Sequence, residues 1–285
     1  MESKTPVFSG VWRGRLFVRL VAGAAVVVSA FVPGVRAAEA LFPRPLHIVR
    51  RVEDPIAKTV TTFEQYCAGD EVVTVNGARV VIADYARQQL TEIDRGAGTY
   101  SITPFDALAK AQPAATQQKS AAAWTATPRG TIGTRNGRSL DSFELSRDGA
   151  DKLTLDIGVD RNTRLSRAAL EVLIGAAYPN PRREEHDAIL RVATNGDPAH
   201  RAKSANGIAA QDDYALPFET SITIDAAGSR VTMRNSVLDV RSELAPEELK
   251  LIPPGARKVE SPAVRVAREL RELDQLPSRI QPESH

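Results

Sequence analysis

Two valine-rich runs, Glu71 to Val75 and Ala78 to Asp84, flank the dipeptide Asn76-Gly77, and this stretch constrains the fold more than any other. Both turn residues tolerate positive φ, so the dipeptide closes a tight hairpin between antiparallel strands. A chain committed to such a hairpin builds its sheet outward from it. Lys58 to Tyr66 reads as the preceding strand, and Gln88 to Asp94 leads through Arg95-Gly96-Ala97-Gly98 into Thr99 to Ile102. The first third is therefore an antiparallel meander.

A short helix is expected next, with Thr103 as N-cap, Pro104 at its first position and Phe105, Leu108 and Ala109 on one face. Gln112 to Lys119 is polar and alanine-rich and reads as a loop, and Ala122 to Ala126 restarts the sheet with Trp124 as a core anchor. Strands follow at Gly130 to Thr134, Ser139 to Ser146 and Lys152 to Val159, with turns at Asn136-Gly137 and Asp148-Gly149. A helical insertion at about 165–194 holds Leu165, Ala169, Leu173 and Ala176 on one stripe, then a second helix from Arg183 to Thr194. Tyr214 to Asp225 and Arg230 to Arg241 resume the sheet, Pro246 to Leu251 makes a helical turn, and Pro262 to Leu276 has helical spacing. The inventory of ten strands and four or five helices, without a strand-helix alternation, argues for an α+β fold with a large antiparallel sheet.

The first forty residues have the layout of a secretory signal: Arg13, Arg15 and Arg19, an apolar run from Leu20 to Val32, Pro33-Gly34, and small residues up to Ala40. The apolar run has 13 residues, short of the roughly 20 that cross a bilayer as a helix. Residues 1–37 then form the signal, with cleavage near Ala37 or Ala40 and a periplasmic product that keeps no transmembrane segment. A single domain over 38–260 and a C-terminal helix or tail over 261–285 complete the expected organisation. Removing residues 1–37 leaves 32 basic against 34 acidic residues. Such a balance carries no electrostatic footprint for nucleic acid. The one cysteine, Cys67, cannot form an intramolecular disulfide, so stability is expected from packing alone.

Motifs that carry chemistry are sparse. His47, His186, His200 and His285 are isolated and show no metal-ligand spacing, and Glu184, Glu185, His186 and Asp187 read as a solvated helix start. No nucleophile elbow, Walker loop or dinucleotide fingerprint occurs. Cys67 as a nucleophile, or an acidic pair drawn from Asp84, Glu92 and Asp94 or from Asp212 and Asp213 with a distant partner, would serve an exported hydrolase. The ordinary readings are a half-buried thiol and surface carboxylates. No catalytic residue, metal or cofactor is assigned.

From Thr59 to Thr103 the order is a strand, Tyr66-Cys67-Ala68-Gly69-Asp70, a hairpin, a strand ending at Asp84, Ile93-Asp94 and Thr99-Tyr100; Leu249 to Val259 then ends in a proline-glycine turn and a basic strand. This pattern resembles a group of uncharacterised exported proteins, similar in architecture to the periplasmic lipoprotein carriers and outer-membrane lipoprotein receptors. The resemblance covers about 45 residues early and about 15 late. It implies a curved, unclosed half-barrel packed against a few helices, with an apolar concavity that accepts acyl chains. No functional residue is carried over from it. The expected function is binding of an apolar or lipidic ligand, with Val60, Thr62, Val73, Val75, Val81, Leu90, Leu170 and Leu173 as lining positions. Its alternatives are an envelope-associated interaction protein with a filled core, partnered by another envelope protein, and the hydrolase.

Overall fold

The strand at the middle of the sheet is one that carries two prolines and five charged residues. The computed structural model describes residues 40–55, 58–111, 125–135, 137–147, 152–177, 189–190, 192–194, 214–226 and 229–275. In chain order the strands are β1 (Phe42–Asp54), β2 (Thr59–Gly69), β3 (Glu71–Asn76), β4 (Arg79–Asp84), β5 (Gln89–Asp94) and β6 (Thr99–Pro104). They continue as β7 (Thr125–Arg135), β8 (Arg138–Arg147), β9 (Lys152–Leu165), β10 (Tyr214–Ala226), β11 (Ser229–Arg241) and β12 (Arg257–Lys258). The helices are α1 (Phe105–Ala111), α2 (Arg167–Ala177), α3 (Glu247–Lys250) and α4 (Pro262–Gln275).

All twelve strands form one open sheet in the order β12-β6-β5-β4-β3-β2-β1-β11-β10-β9-β8-β7. Every pairing is antiparallel except β12 with β6. The expected curved half-barrel with a few helices is the architecture found. Eleven spacings of about 4.8 Å make the sheet on the order of 50 Å wide. Local hairpins build the half from β1 to β6, whereas in the other half β9 and β10 pair although α2 separates them in the chain; the halves join where β1 pairs with β11.

β1 was not expected, and β12 is the basic strand that the resemblance placed after the proline-glycine turn; together they bring the strands to twelve. Pro43 and Pro45 lack the N–H that a ladder needs, and the β1–β2 register is irregular between Phe42 and Leu46, where they lie. Regular pairing begins at Leu46. The β3–β4 turn is Gly77-Ala78, one residue later than Asn76-Gly77, because Asn76 pairs with Arg79 and Gly77 takes φ 57°. Thr103 and Pro104 do not open a helix. They pair with Leu90 and Gln89 inside β6, and the Phe105 N–H donates to the Gln88 carbonyl where α1 begins. Likewise Leu165 ends β9, and Ser166 caps α2 through its Oγ, 3.1 Å from the Ala169 N–H.

The expected signal at 1–37, the expected loop at 112–119, Trp124, Asn136, Asp148-Gly149, Glu184 to Asp187, His200, Asp212, Asp213 and Leu276 onward lie outside the described residues.

Strand periodicity sends neighbouring side chains to opposite faces. On the helix-bearing face, one hydrophobic cluster takes in residues of nine strands, β1 to β5 and β8 to β11, together with α1, α2, the helical residues Ile189, Leu190, Val192 and Ala193, and Ala263 of α4. The other face carries a smaller cluster of Tyr66, Val73, Val80, Ile82, Ile93 and Ala245. Residues 242–256 cross that second face as a strap. Glu243 reaches His47, Lys250 Nζ lies 2.8 Å from Glu71 Oε1, and Arg95 Nη2 donates to the Glu248 carbonyl at 2.5 Å. The chain then rounds the sheet edge as β12, where the Arg257 and Val259 N–H groups donate to Gly98 and Tyr100 carbonyls. It reaches the helix-bearing face as α4, which packs beside α1. The C-terminal helix thus docks on the sheet domain.

Candidate functional site

Register aligns six residues in one row across the helix-bearing face: Ile48, Gln65, Thr74, Val81, Glu92 and Ser101. The adjacent row is Leu46, Cys67, Val72, Ala83, Leu90 and Thr103. The second row is mainly apolar. The first places hydrogen-bonding side chains where alternation would put core residues.

Gln65 is fully buried, and its Oε1 accepts from Arg50 Nε at 2.8 Å. An arginine only donates, so this bond fixes the amide with its NH2 turned away from Arg50. Gln65 Nε2 then meets no protein acceptor, and Thr74 Oγ1, on the directly paired residue, has no partner either. Tyr85 Oη is a third buried atom of this kind. The ring of Tyr85 packs edge-on against Phe105 of α1 at 5.4 Å between centroids. Burial, then the neighbouring Cys67, pushes its hydroxyl well above the ordinary tyrosine value. Buried polar groups are paired in the great majority of cases, so three orphans around one cysteine mark this region out.

Cys67 itself is buried, not half-buried, at 1 % exposure. Burial pushes the thiol up to about 12, and Arg50 opposes this only in part. The thiolate is the nucleophile, so a thiol held this way is inert in the folded chain at neutral pH. Iodoacetamide is expected to label Cys67 only after unfolding, and folded-state labelling within minutes at pH 7.5 would contradict that environment. The same shift sets an alkaline limit. The folded state holds the thiol proton through a range, from about 9 to about 12, in which the unfolded chain has released it. Stability therefore falls as pH rises through that range. Cys67→Ala is expected to flatten that decline in alkaline urea titrations.

The eight proposed lining positions divide between the faces. Val73 and Val75 point to the strap side, since Val73 pairs with Ile82 and Val75 with Val80. Alternation along β2 puts Val60 and Thr62 on that side too, both exposed. Val81 and Leu90 lie on the helix-bearing face, where Leu90, Leu170 and Leu173 are buried and Val81 is partly buried in the large cluster. That face therefore gathers four of the eight. Sequence reading passed over Arg50, Gln65, Thr74 and Tyr85. The available signal was a glutamine between Phe63 and Cys67, a polar residue in a core-facing slot of a period-two strand.

On the strap side His47 stacks on Tyr66 with ring centroids 4.1 Å apart. Its Nε2 lies 3.0 Å from Glu64 Oε2 and its Nδ1 3.2 Å from Glu243 Oε2. Tyr66 Oη donates to the same Glu64 oxygen at 2.7 Å. Burial, then that bond, pushes the phenol up to about 12. The two imidazole nitrogens point to different carboxylates. Among the described residues no group of three metal-ligating side chains converges. Asp84 pairs with Arg87, Asp94 with Arg79, and Glu92 with two serines, so the three acids considered as a catalytic pair are each engaged separately.

No family model matches the chain, and no curated protein matches it. Solved structures give loose similarities. PNGF-II in a C2 crystal form aligns at 10% identity and TM-score 0.33, and in a P21 form at 8% and 0.34; each alignment covers 79% of this chain and 33% of that one. MucB aligns at 14% identity and TM-score 0.32, covering 77% of this chain and 60% of MucB. The chain spans a third of PNGF-II and three fifths of MucB. Similarity at this level assigns neither fold nor activity.

Proposed function

We propose that this is an exported, non-catalytic binding protein of the cell envelope that holds an apolar or lipidic ligand between the helix-bearing face and its helices. The observation that carries the reading is the continuity of the large cluster across nine strands and three helices. An interior of this kind rewards an alkyl chain with about 25 cal/mol for each Å² withdrawn from water, without fixed chemistry. The export pattern of the first forty residues and the resemblance to lipoprotein carriers support the same reading. Entry requires the helices to part from the sheet, because Leu90, Leu170 and Leu173 are at most 1 % exposed.

That tight burial also favours a second reading, an envelope interaction protein whose interior stays filled. One measurement separates them. Protein purified from the periplasmic fraction is expected to show adducts of lipid mass in native mass spectrometry and to release lipid on organic extraction. Lipid-free protein from several expression hosts would overturn ligand carriage and leave the filled-core reading.

A further inference from the structure

Three buried polar atoms around Cys67, on Gln65, Thr74 and Tyr85, share the capacity to donate. Gln65 Nε2 carries two N–H donors, and the hydroxyls of Thr74 and Tyr85 can each donate. Gln65 and Thr74 are 0 % and 6 % exposed, so solvent does not satisfy them. Their demand is for an acceptor with several lone pairs, set inside an apolar surround of Ile48, Val72, Val81 and Leu90. The Arg50 guanidinium orients the Gln65 amide, so that its NH2 is directed into this surround. A carboxylate offers two oxygens and about four lone-pair sites, which matches these donors. An alcohol meets fewer of them. A protonated amine brings no acceptor.

We infer that Gln65, Thr74 and Tyr85 form a head-group site for a long-chain carboxylate whose alkyl tail lies in the apolar cluster between the sheet and its helices. This rests on the binding function proposed above and names the ligand class. Register supplies the geometry: Gln65 and Thr74 are paired across β2 and β3, and Cys67, two residues along from Gln65, neighbours Tyr85.

The test uses the full mature chain and three probes of equal length, dodecanoate, dodecan-1-ol and dodecylamine, each displacing the dye N-phenyl-1-naphthylamine. Dodecanoate is expected to bind about tenfold more tightly than dodecan-1-ol, the effect of one to two charge-assisted hydrogen bonds. Dodecylamine is expected to bind most weakly. The double substitution Gln65→Leu with Thr74→Val should bring acid and alcohol within about threefold, chiefly by weakening the acid. Tyr85→Phe keeps the ring against Phe105 and removes only the hydroxyl, so it should lower the acid preference even if the double variant fails to fold. Equal binding of all three probes would overturn the head-group site and leave apolar binding standing. Binding of none would overturn both. An acid preference that survives in both variants would mean that the three atoms serve a buried water, and would also overturn the site.

Discussion

Asp160→Ala is expected to destabilise the folded protein by about 3 kcal/mol, the low end of the range for removing one partner of a buried ion pair. Asp160 is fully buried in β9, between Leu140 of β8 and Leu216 of β10. Its Oδ2 accepts from Arg138 Nη1 at 2.5 Å and from Thr163 Oγ1 at 2.7 Å, and its Oδ1 accepts from the Asn162 N–H at 2.9 Å. Arg138 in turn donates to the Val240 carbonyl of β11. One carboxylate therefore ties β8 and the irregular part of β9 to the strand that joins the two halves of the sheet. Alanine leaves three donors without their acceptor. The Arg138 side chain is 26% exposed, so water recovers part of the loss, which is why the low end applies. Asp160→Asn keeps a neutral acceptor and should restore about half, since charge-assisted bonds are roughly twice as strong. Urea unfolding with an unchanged slope gives the measurement. A loss below about 1 kcal/mol would show that solvent already serves these groups.

Glu92→Ala is expected to free the C-terminal helix and cost about 2 to 3 kcal/mol. Glu92 projects from β5 into the helix-bearing interior, where its Oε2 accepts from Ser101 Oγ at 2.9 Å and from Ser261 Oγ, and its Oε1 accepts from the Ala263 N–H at 3.2 Å. Ser261 is the N-cap of α4, receiving the Val264 N–H on its Oγ at 3.3 Å. A carboxylate at this position also faces the positive end of the helix dipole. Without it, two hydroxyl protons and an N–H lie buried without an acceptor, and the least costly response is for α4 to leave α1. Local opening of that kind exposes backbone to proteases well before global unfolding. Limited trypsin digestion should therefore cut at Arg265 or Arg268 at least about tenfold faster in the variant. Unchanged digestion together with unchanged urea stability would show that α4 is held by its apolar contacts alone.

Local chemistry accounts for most of what was legible beforehand. The meander from β2 to β6 was readable because each hairpin is closed by a turn within a few residues, as at Gly77 and Gly98, both at positive φ. β1 was not readable. Pro43, Pro45 and the charges from Arg50 to Asp54 conceal a strand whose place is decided by β11, nearly 200 residues later. The two residues of β12 exist as a strand because Gly98 and Tyr100 present free carbonyls at the sheet edge. Pro104 suggested a helix start, yet it sits in β6 beyond the reach of short β12, where no outer neighbour needs its missing N–H.

The candidate site divides the same way. Apolar strand residues could be chosen from composition, but Val73 and Val81 part to opposite faces because β3 and β4 pair Val73 with Ile82. A single step of register reverses every side chain of a strand. Gln65 and Thr74 looked like ordinary strand residues until pairing set them side by side in the interior, with Arg50 turning the amide.

Periodicity, turn residues and capping act over a few residues, so the chain's own order determined an antiparallel α+β protein with its hairpins and its helical stretches. Tertiary structure alone decided that β1 bridges the halves, that the strap and α4 wrap the sheet edge, and which side chains share a face. Those outcomes depend on pairing between segments far apart in the chain, and no local interaction encodes them.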